Sequence, residues 1–364
     1  MAISSTHRQG SGDLRVAILG CGRLAREVLL PILGRIPKVE VSVIADLDQR
    51  ARAAAAALAP RAKTLADWPD AIAQDVDAVV VALPTAMHAE AARAVIEAGK
   101  HLYLEKPIAA TVEEGLALEE TGRRAGLGWA GLKSRPHTPA IAMVGFNYRF
   151  NPLVVELRRR VQDAEVGAPK IIRTTFSTKA TPGGTWRRPD QRGGGVLLDL
   201  ASHHIDIVRY ITDDEIASVS AERTVSSEGA EHVALTIQLT RGAVVQSVFA
   251  TGTADIDRIE IEGGRGSLTV DRYRSWVVQR SAHGTSSLTR GMREISGWRY
   301  ALDKQRAPWH EPSFARAFQA FVHAARGAEP QGASLEDGLR SLQVIDAAER
   351  SCAERRGVDV TGRA

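Results

Sequence analysis

Between residues 14 and 126 the hydrophobic pattern of this chain changes period again and again, and nothing else in the sequence limits its fold as tightly. LRVAILG (14–20), VEVSVIAD (39–46), DAVVVALP (77–84) and KHLYLE (100–105) are short apolar runs, the pattern of strands covered on both faces. Amphipathic helical stretches lie between and after them, near 23–35, 48–59, 87–99 and 111–125. Strand and helix in alternation specify βαβ units and a doubly wound, Rossmann-type parallel sheet. IAMVGF (141–146) supplies a last parallel strand. Before it, LGWAGLKSRPHTPA (127–140) mixes Gly, Pro and polar residues and reads as a long loop, expected to be more mobile than the sheet beside it.

The second half follows another rule. Val233, Leu235, Ile237 and Leu239 alternate with polar neighbours, and a turn at Arg241-Gly242 leads into AVVQSVFAT. Arg258–Glu262 and Ser267–Asp271 flank Gly263-Gly264 as a second hairpin. Period-two alternation joined by short glycine turns means a large, mostly antiparallel open sheet with one solvated face. Helical patterns at 153–163, 198–211, 313–326 and 335–354 make this half an α+β domain. A chain of 364 residues is too long for one ordinary core. The expected division is a disordered tail over 1–12, a dinucleotide-binding domain over 13–150, and a substrate-binding and oligomerisation domain over 151–364. A sheet with one face left open by its own helices is expected to find a partner copy, as a homodimer or homotetramer.

Charge excludes some partners. The net +4 is spread evenly along the chain without a Lys/Arg tract, so no nucleic-acid footprint is expected. No apolar run approaches the length of a membrane span. The start, MAISSTHRQGSG, has neither an apolar export core nor a twin arginine. Cys21 and Cys352 form neither a disulfide framework nor a zinc pair. Reduced thiols and a cytoplasmic location are expected.

Gly20-Cys21-Gly22-Arg23-Leu24-Ala25 has the form GxGxxA, directly after a strand and opening a helix. Gly20 permits the tight turn, Gly22 lets a pyrophosphate approach the backbone, and Ala25 allows close packing of helix on strand. The helix N-terminus presents N–H donors and a positive dipole end to the phosphates. Asp46 ends the next strand, where a carboxylate accepts hydrogen bonds from ribose hydroxyls and repels a 2′-phosphate; NAD is favoured over NADP. Asp48 is read as a helix N-cap. Glu105-Lys106-Pro107 closes the fourth strand, and ligands of open α/β sheets sit outside such strand ends.

If 197–211 is a regular helix, Asp199, His203, Asp206 and Tyr210 fall on one narrow stripe, and His203 shares its face with a carboxylate that can orient the ring. His204 falls on the opposite, packed arc with one expected hydrogen-bond partner. The adjacent histidines point apart and no third ligand suggests itself, so no metal is expected.

ALPTAMHAEAARAVIEAGKHLYLEKPIAAT, GFNYRFNP and GGGVLLDLASHHIDIVRY together resemble the Gfo/Idh/MocA family, the relatives of glucose–fructose oxidoreductase and inositol dehydrogenase. The resemblance runs from about residue 14 to the end of the C-terminal sheet and is interrupted mainly by 127–140. It implies that Lys106 is catalytic together with Asp199 and His203. It implies cofactor contacts from Gly20, Gly22, Arg23, Leu24, Ala25, Asp46, Glu105 and Lys106, and also from Pro84 and His88, although a helix N-terminal position accounts for His88 equally well. Trp186 and Arg187, in TWR, resemble a segment approaching the nicotinamide, and Asn147 and Arg149 stand where the family lines its cleft.

The activity so implied is hydride transfer between NAD(H) and one carbinol carbon of a sugar, cyclitol or related polyol. His203 acts as general base, Lys106 stabilises the oxygen, and Asp199 orients the imidazole. Two alternatives stay open: redox-neutral, NAD-dependent glycoside cleavage, separated by whether NAD is consumed, and a non-catalytic NAD- and sugar-binding sensor. Intact Lys106, Asp199 and His203 argue against the sensor.

Overall fold

The computed structural model describes residues 13–127, 140–179, 195–281 and 297–360. The expected tail over 1–12, nearly all of the 127–140 loop, and both Trp186 and Arg187 lie outside the described residues.

The first sheet has six strands in the order β3-β2-β1-β4-β5-β6: β1 Leu14–Leu19, β2 Val39–Ala45, β3 Lys63–Leu65, β4 Ala78–Val81, β5 His101–Leu104 and β6 Ala142–Val144. Every pairing is parallel. Strands β4, β5 and β6 are buried at every position because helices cover both faces, which is why they are apolar throughout. Helices α1 (Leu30–Leu33), α2 (Gln49–Leu58), α3 (Trp68–Ile72), α4 (His88–Glu97) and α5 (Val112–Arg124) connect them. The order reverses between β1 and β4, so the exits of β1, β2, β4 and β5 meet at one crevice.

The second sheet has eight strands in the order β13-β12-β11-β7-β10-β9-β8-β14. Its central members are β7 (Pro169–Thr178), β10 (Val244–Thr251), β9 (Glu231–Leu239) and β8 (Ile216–Val225) on one side and β11 (Ile256–Gly263) with β12 (Gly266–Asp271) on the other. Short β13 (Gln279–Ser281) and β14 (Val358–Asp359) form the edges. Among the described residues only β7 with β10 is parallel; the other pairs are antiparallel. On β9 buried and less buried residues alternate almost throughout, the mark of a sheet with one packed face. Helices α6 (Pro152–Gln162) and α7 (Ser202–Thr212) pack on each other beside that face.

The two sheets are joined by more than the chain between them. After α8 (Trp298–Arg306), helix α9 (Ser313–Ala325) returns to the first sheet, where Phe318 stacks on Tyr103 at 4.3 Å and Phe321 meets it edge-on at 5.5 Å. Helix α10 (Leu335–Glu354) packs on both α5 and β8, and Ala333 bridges Val144 at the free edge of β6. These contacts fix the exit of β5 against helix α7, and the site forms there. Among the described residues, no helix is long and apolar enough to cross a membrane.

Candidate functional site

The dinucleotide-binding end begins where β1 leaves the sheet. Gly20 has φ of +94°, and a Cβ there would stand 2.3 Å from the carbonyl oxygen of Ala82, so only glycine lets β1 pass the exit of β4 so closely. Two residues on, a Cβ at Gly22 would meet nothing within 4 Å, so the backbone faces open space. A π-helical turn, Ala25–Leu29, precedes α1 and buries Ala25 against the sheet. Asp46 is held in register with this loop: its carboxylate accepts from the Cys21 N–H at 2.6 Å and from the Asp48 N–H at 2.8 Å. Asp48 itself caps α2 through the N–H groups of Arg50 and Ala51. Arg23 pairs with Glu27 at 3.0 Å, and Leu24 is half-buried beside it. An open backbone face beside a fixed carboxylate fits the pyrophosphate and ribose of a dinucleotide.

Pro84 opens the turn before α4, whose first residue, His88, is buried. The two ring nitrogens of His88 lie 2.6 Å from the Pro107 carbonyl and 2.8 Å from the Leu83 carbonyl. The resemblance implied a cofactor contact for His88, with a helix N-terminal position accounting for it equally well; here it is the first residue of α4, and its enclosed ring braces the loop after Lys106.

Lys106 follows β5. Its ammonium donates to the Asp199 backbone carbonyl at 3.0 Å and to the Asp199 carboxylate at 3.1 Å, a contact across the two halves of the chain. Asp199 sits in a second π-helical turn, Leu197–Ala201, which runs directly into α7. His203, in the first turn of α7, is 8% exposed and stacks on Tyr148 with ring centroids 4.2 Å apart and planes 20° apart. Burial first, then the positive charges of Lys106 and Arg272 and the neighbouring His204, pushes the His203 pKa well below the usual histidine range. The ring is therefore neutral at physiological pH, the form a general base needs. Its Nδ1 is buried with no hydrogen-bond partner among the described residues.

His204 faces away. Its Nε2 meets the Asp257 carboxylate at 3.1 Å and its ring stacks on Phe176. This Asp257, Tyr148 and Arg272 were missed by sequence reasoning; only Tyr148 lies inside a quoted motif.

Asn147 and Arg149, expected to line the cleft, are both held by hydrogen bonds within the protein. Arg149 is buried, and its guanidinium donates to Asp206 at 2.6 and 2.9 Å, to Asp337 at 3.2 Å and to the Gly332 carbonyl at 3.1 Å. Asn147 is buried and donates to the Ser313 hydroxyl at 2.7 Å. These side chains tie the start of α6 to α7, α9 and α10. The reason is local: Asn147–Phe150 is a 3-10 turn that turns both side chains into the protein.

Glu105 is buried beside Gly145, its Oε1 has no partner among the described residues, and burial raises its carboxyl to about 7. A carboxyl raised in the folded state adds stability below its unfolded pKa and loses it as pH rises through about 7. Glu105→Gln is expected to melt above the unmodified protein at pH 8–9 and to match it below about pH 5. Equal melting temperatures at both ends of that range would show that the carboxyl is solvated.

Taken together, the glycine turn, the fixed carboxylate at the end of β2 and a lysine–aspartate pair beside a neutral histidine define a dinucleotide-dependent oxidoreductase of two domains. The family models agree: the NAD-binding Rossmann fold of an oxidoreductase family matches residues 14–128, and that family's C-terminal alpha/beta domain matches residues 158–360. The chain belongs to the Gfo/Idh/MocA oxidoreductases and is an NAD-dependent dehydrogenase. It is 26% identical over 358 residues to an inositol 2-dehydrogenase of Rhizobium meliloti, covering 95% of this chain and 99% of that one. It is 31% identical over 348 residues to an inositol 2-dehydrogenase of Mycolicibacterium gilvum, covering 90% of this chain and 92% of that one. Its fold superposes on the crystal structure of scyllo-inositol dehydrogenase from Lactobacillus casei with bound NAD(H) and scyllo-inositol, with a TM-score of 0.77 at 20% identity, covering 96% of this chain and all of that one.

Proposed function

We propose that this protein transfers a hydride between NAD(H) and a carbinol carbon of a cyclitol or closely related polyol, with Lys106 and His203 handling the substrate oxygen. The observation that carries this reading is the meeting of Lys106, Asp199 and a neutral His203 at the strand exits where the dinucleotide loop also opens. Its relatives' names, inositol 2-dehydrogenase, favour the cyclitol class.

NAD, when bound, supplies the hydride acceptor at its nicotinamide; the residues supply position and proton transfer. Lys106 has three N–H donors, of which two point at Asp199, so one is left for the substrate oxygen. As charge develops on that oxygen, the ammonium stabilises it. His203 takes the hydroxyl proton at Nε2, because Nδ1 is enclosed. Asp199 holds the lysine in place, where sequence reasoning had it orient His203.

The test is a screen of inositols, cyclic polyols and sugars with NAD and with NADP, following absorbance of the reduced cofactor. Reduction of NAD by one or more inositols, and a clear preference for NAD over NADP, is expected. Consumption of a glycoside without net NADH would replace this reading with redox-neutral bond cleavage.

A further inference from the structure

A catalytic imidazole is usually aimed by a hydrogen bond at its second nitrogen. His203 lacks that device at Nδ1, which is buried without a partner among the described residues. What surrounds the ring instead is aromatic. Tyr148 lies flat against it, Phe146 meets it edge-on at 6.4 Å, and Phe176 is tilted against it at 6.3 Å.

The far side of Tyr148 is unusual. The Arg272 guanidinium lies over that ring, 3.2 Å from its centroid, with its side chain 1% exposed. Arg272 is held from three directions. Asp257 accepts from its Nε at 3.0 Å, Glu311 pairs with its terminal nitrogen, and the Arg272 N–H donates to the Asp257 carbonyl at 2.8 Å. Asp257 also holds His204, so the contacts form a closed loop: His203, Tyr148, Arg272, Asp257, His204 and back along α7.

We propose that Tyr148, seated on Arg272, is the positioning residue for His203: its ring sets the plane in which the imidazole meets the substrate, and the guanidinium behind it opposes a second positive charge on that plane. The inference rests on the assignment of His203 as base.

The physical argument is that a tyrosine face attracts cations through its negative quadrupole. Arg272 already occupies one face, and its charge acts through a buried, weakly screening layer on any charge that His203 takes up. The titratable and charged groups acting on His203 are Lys106 from the exit of β5, His204 beside it on α7, and Arg272 behind Tyr148. Asp257 and Glu311 pair with Arg272, and its guanidinium carbon lies over the Tyr148 ring, so its charge still acts on His203. A ring fixed by stacking and kept neutral by a cation needs no hydrogen bond to remain a base.

Three variants in the full chain test this. The imidazole resonance of His203 is identified by its loss in His203→Gln, so its titration is read independently of turnover. In Arg272→Gln/Asp257→Asn, which removes the buried pair and leaves Glu311 the hydrogen bonds it accepts from Asn151 and the Ser313 N–H, that titration should move up by roughly one pH unit, and the acid limb of kcat/KM with it. Tyr148→Leu should lower kcat by about tenfold or more with NADH affinity within twofold, and Tyr148→Phe, which keeps the ring, should restore most of that loss. An unmoved His203 titration in the double variant overturns the role of Arg272. A Tyr148→Phe variant as impaired as Tyr148→Leu assigns the effect to the hydroxyl and overturns the role of the ring. Full turnover in His203→Gln is a separate failure, that of the base assignment itself.

Discussion

Lys106→Ala and His203→Ala are each expected to lower turnover by about 10²-fold or more while leaving NADH affinity within a small factor. The separation follows from where the anchors lie. Gly20, Gly22 and Asp46, the proposed dinucleotide anchors, lie at the exits of β1 and β2, whereas Lys106 lies at the exit of β5 and His203 in the first turn of α7. Losses in the two single variants should not add in the double variant, because both residues serve the proton on one oxygen. His203→Ala also removes the ring stacked on Tyr148, so melting temperatures must be read alongside rates. Fluorescence titration with NADH beside steady-state rates checks the separation. If either variant loses NADH affinity in proportion to rate, that residue holds the cofactor rather than the reacting oxygen.

Much of the first sheet was legible because its strands are buried on both faces and so read as unbroken apolar runs. The two elements that sequence reading passed over, β3 and α3, are three and five residues long, and β3 carries exposed lysine and threonine. In the second sheet the period-two pattern revealed β9, β10, β11 and β12. It did not reveal β8, nor β7, which carries charged or polar residues at six of its ten positions and is placed by distant partners, β10 on one side and β11 on the other. The return of α9 to the first sheet had no sequence signal either, since Tyr103, Phe318 and Phe321 look like ordinary core residues until their rings are seen together.

The site divides in the same way. Lys106, Asp199 and His203 all stand in short motifs; in the structure Lys106 pairs with Asp199, and its charge acts on His203. The regular helix assumed over 197–211 begins in the structure as a π-helical turn over Leu197–Ala201, and Asp199, expected to orient His203, meets Lys106 through both its carboxylate and its backbone carbonyl. A motif locates residues along a chain; it does not say which neighbour a side chain will choose. Arg272 and Asp257 illustrate the limit, since their pairing joins the end of β12 to β11 and acquires meaning only from Tyr148, more than a hundred residues away.

Arg149 gives the sharpest choice between a cleft residue and a structural one. Asp206 is 1% exposed, and Arg149 supplies its close charge-assisted contacts at 2.6 and 2.9 Å. Removing one partner of a buried pair leaves the other charge uncompensated and typically costs about 3–5 kcal/mol. Arg149→Met keeps much of the side-chain volume and removes the charge, so it should lower the melting temperature markedly. Burial already raises the Asp206 carboxyl above its ordinary value even with Arg149 in place, and without the guanidinium that rise grows. A group raised in the folded state gives stability at low pH and loses it as pH rises, so the deficit should be largest at neutral and alkaline pH and shrink toward pH 5. Asp206→Asn in the same background removes the orphaned charge and should recover a large part of the loss at neutral pH, a coupling that a double-variant cycle measures. Asp337, lowered to about 2 by Arg149 against its own burial, also loses a partner, but Arg209 remains beside it and recovery need not be complete. If Arg149→Met melts with the unmodified protein and instead raises KM for the polyol, Arg149 belongs to the cleft and the structural assignment fails.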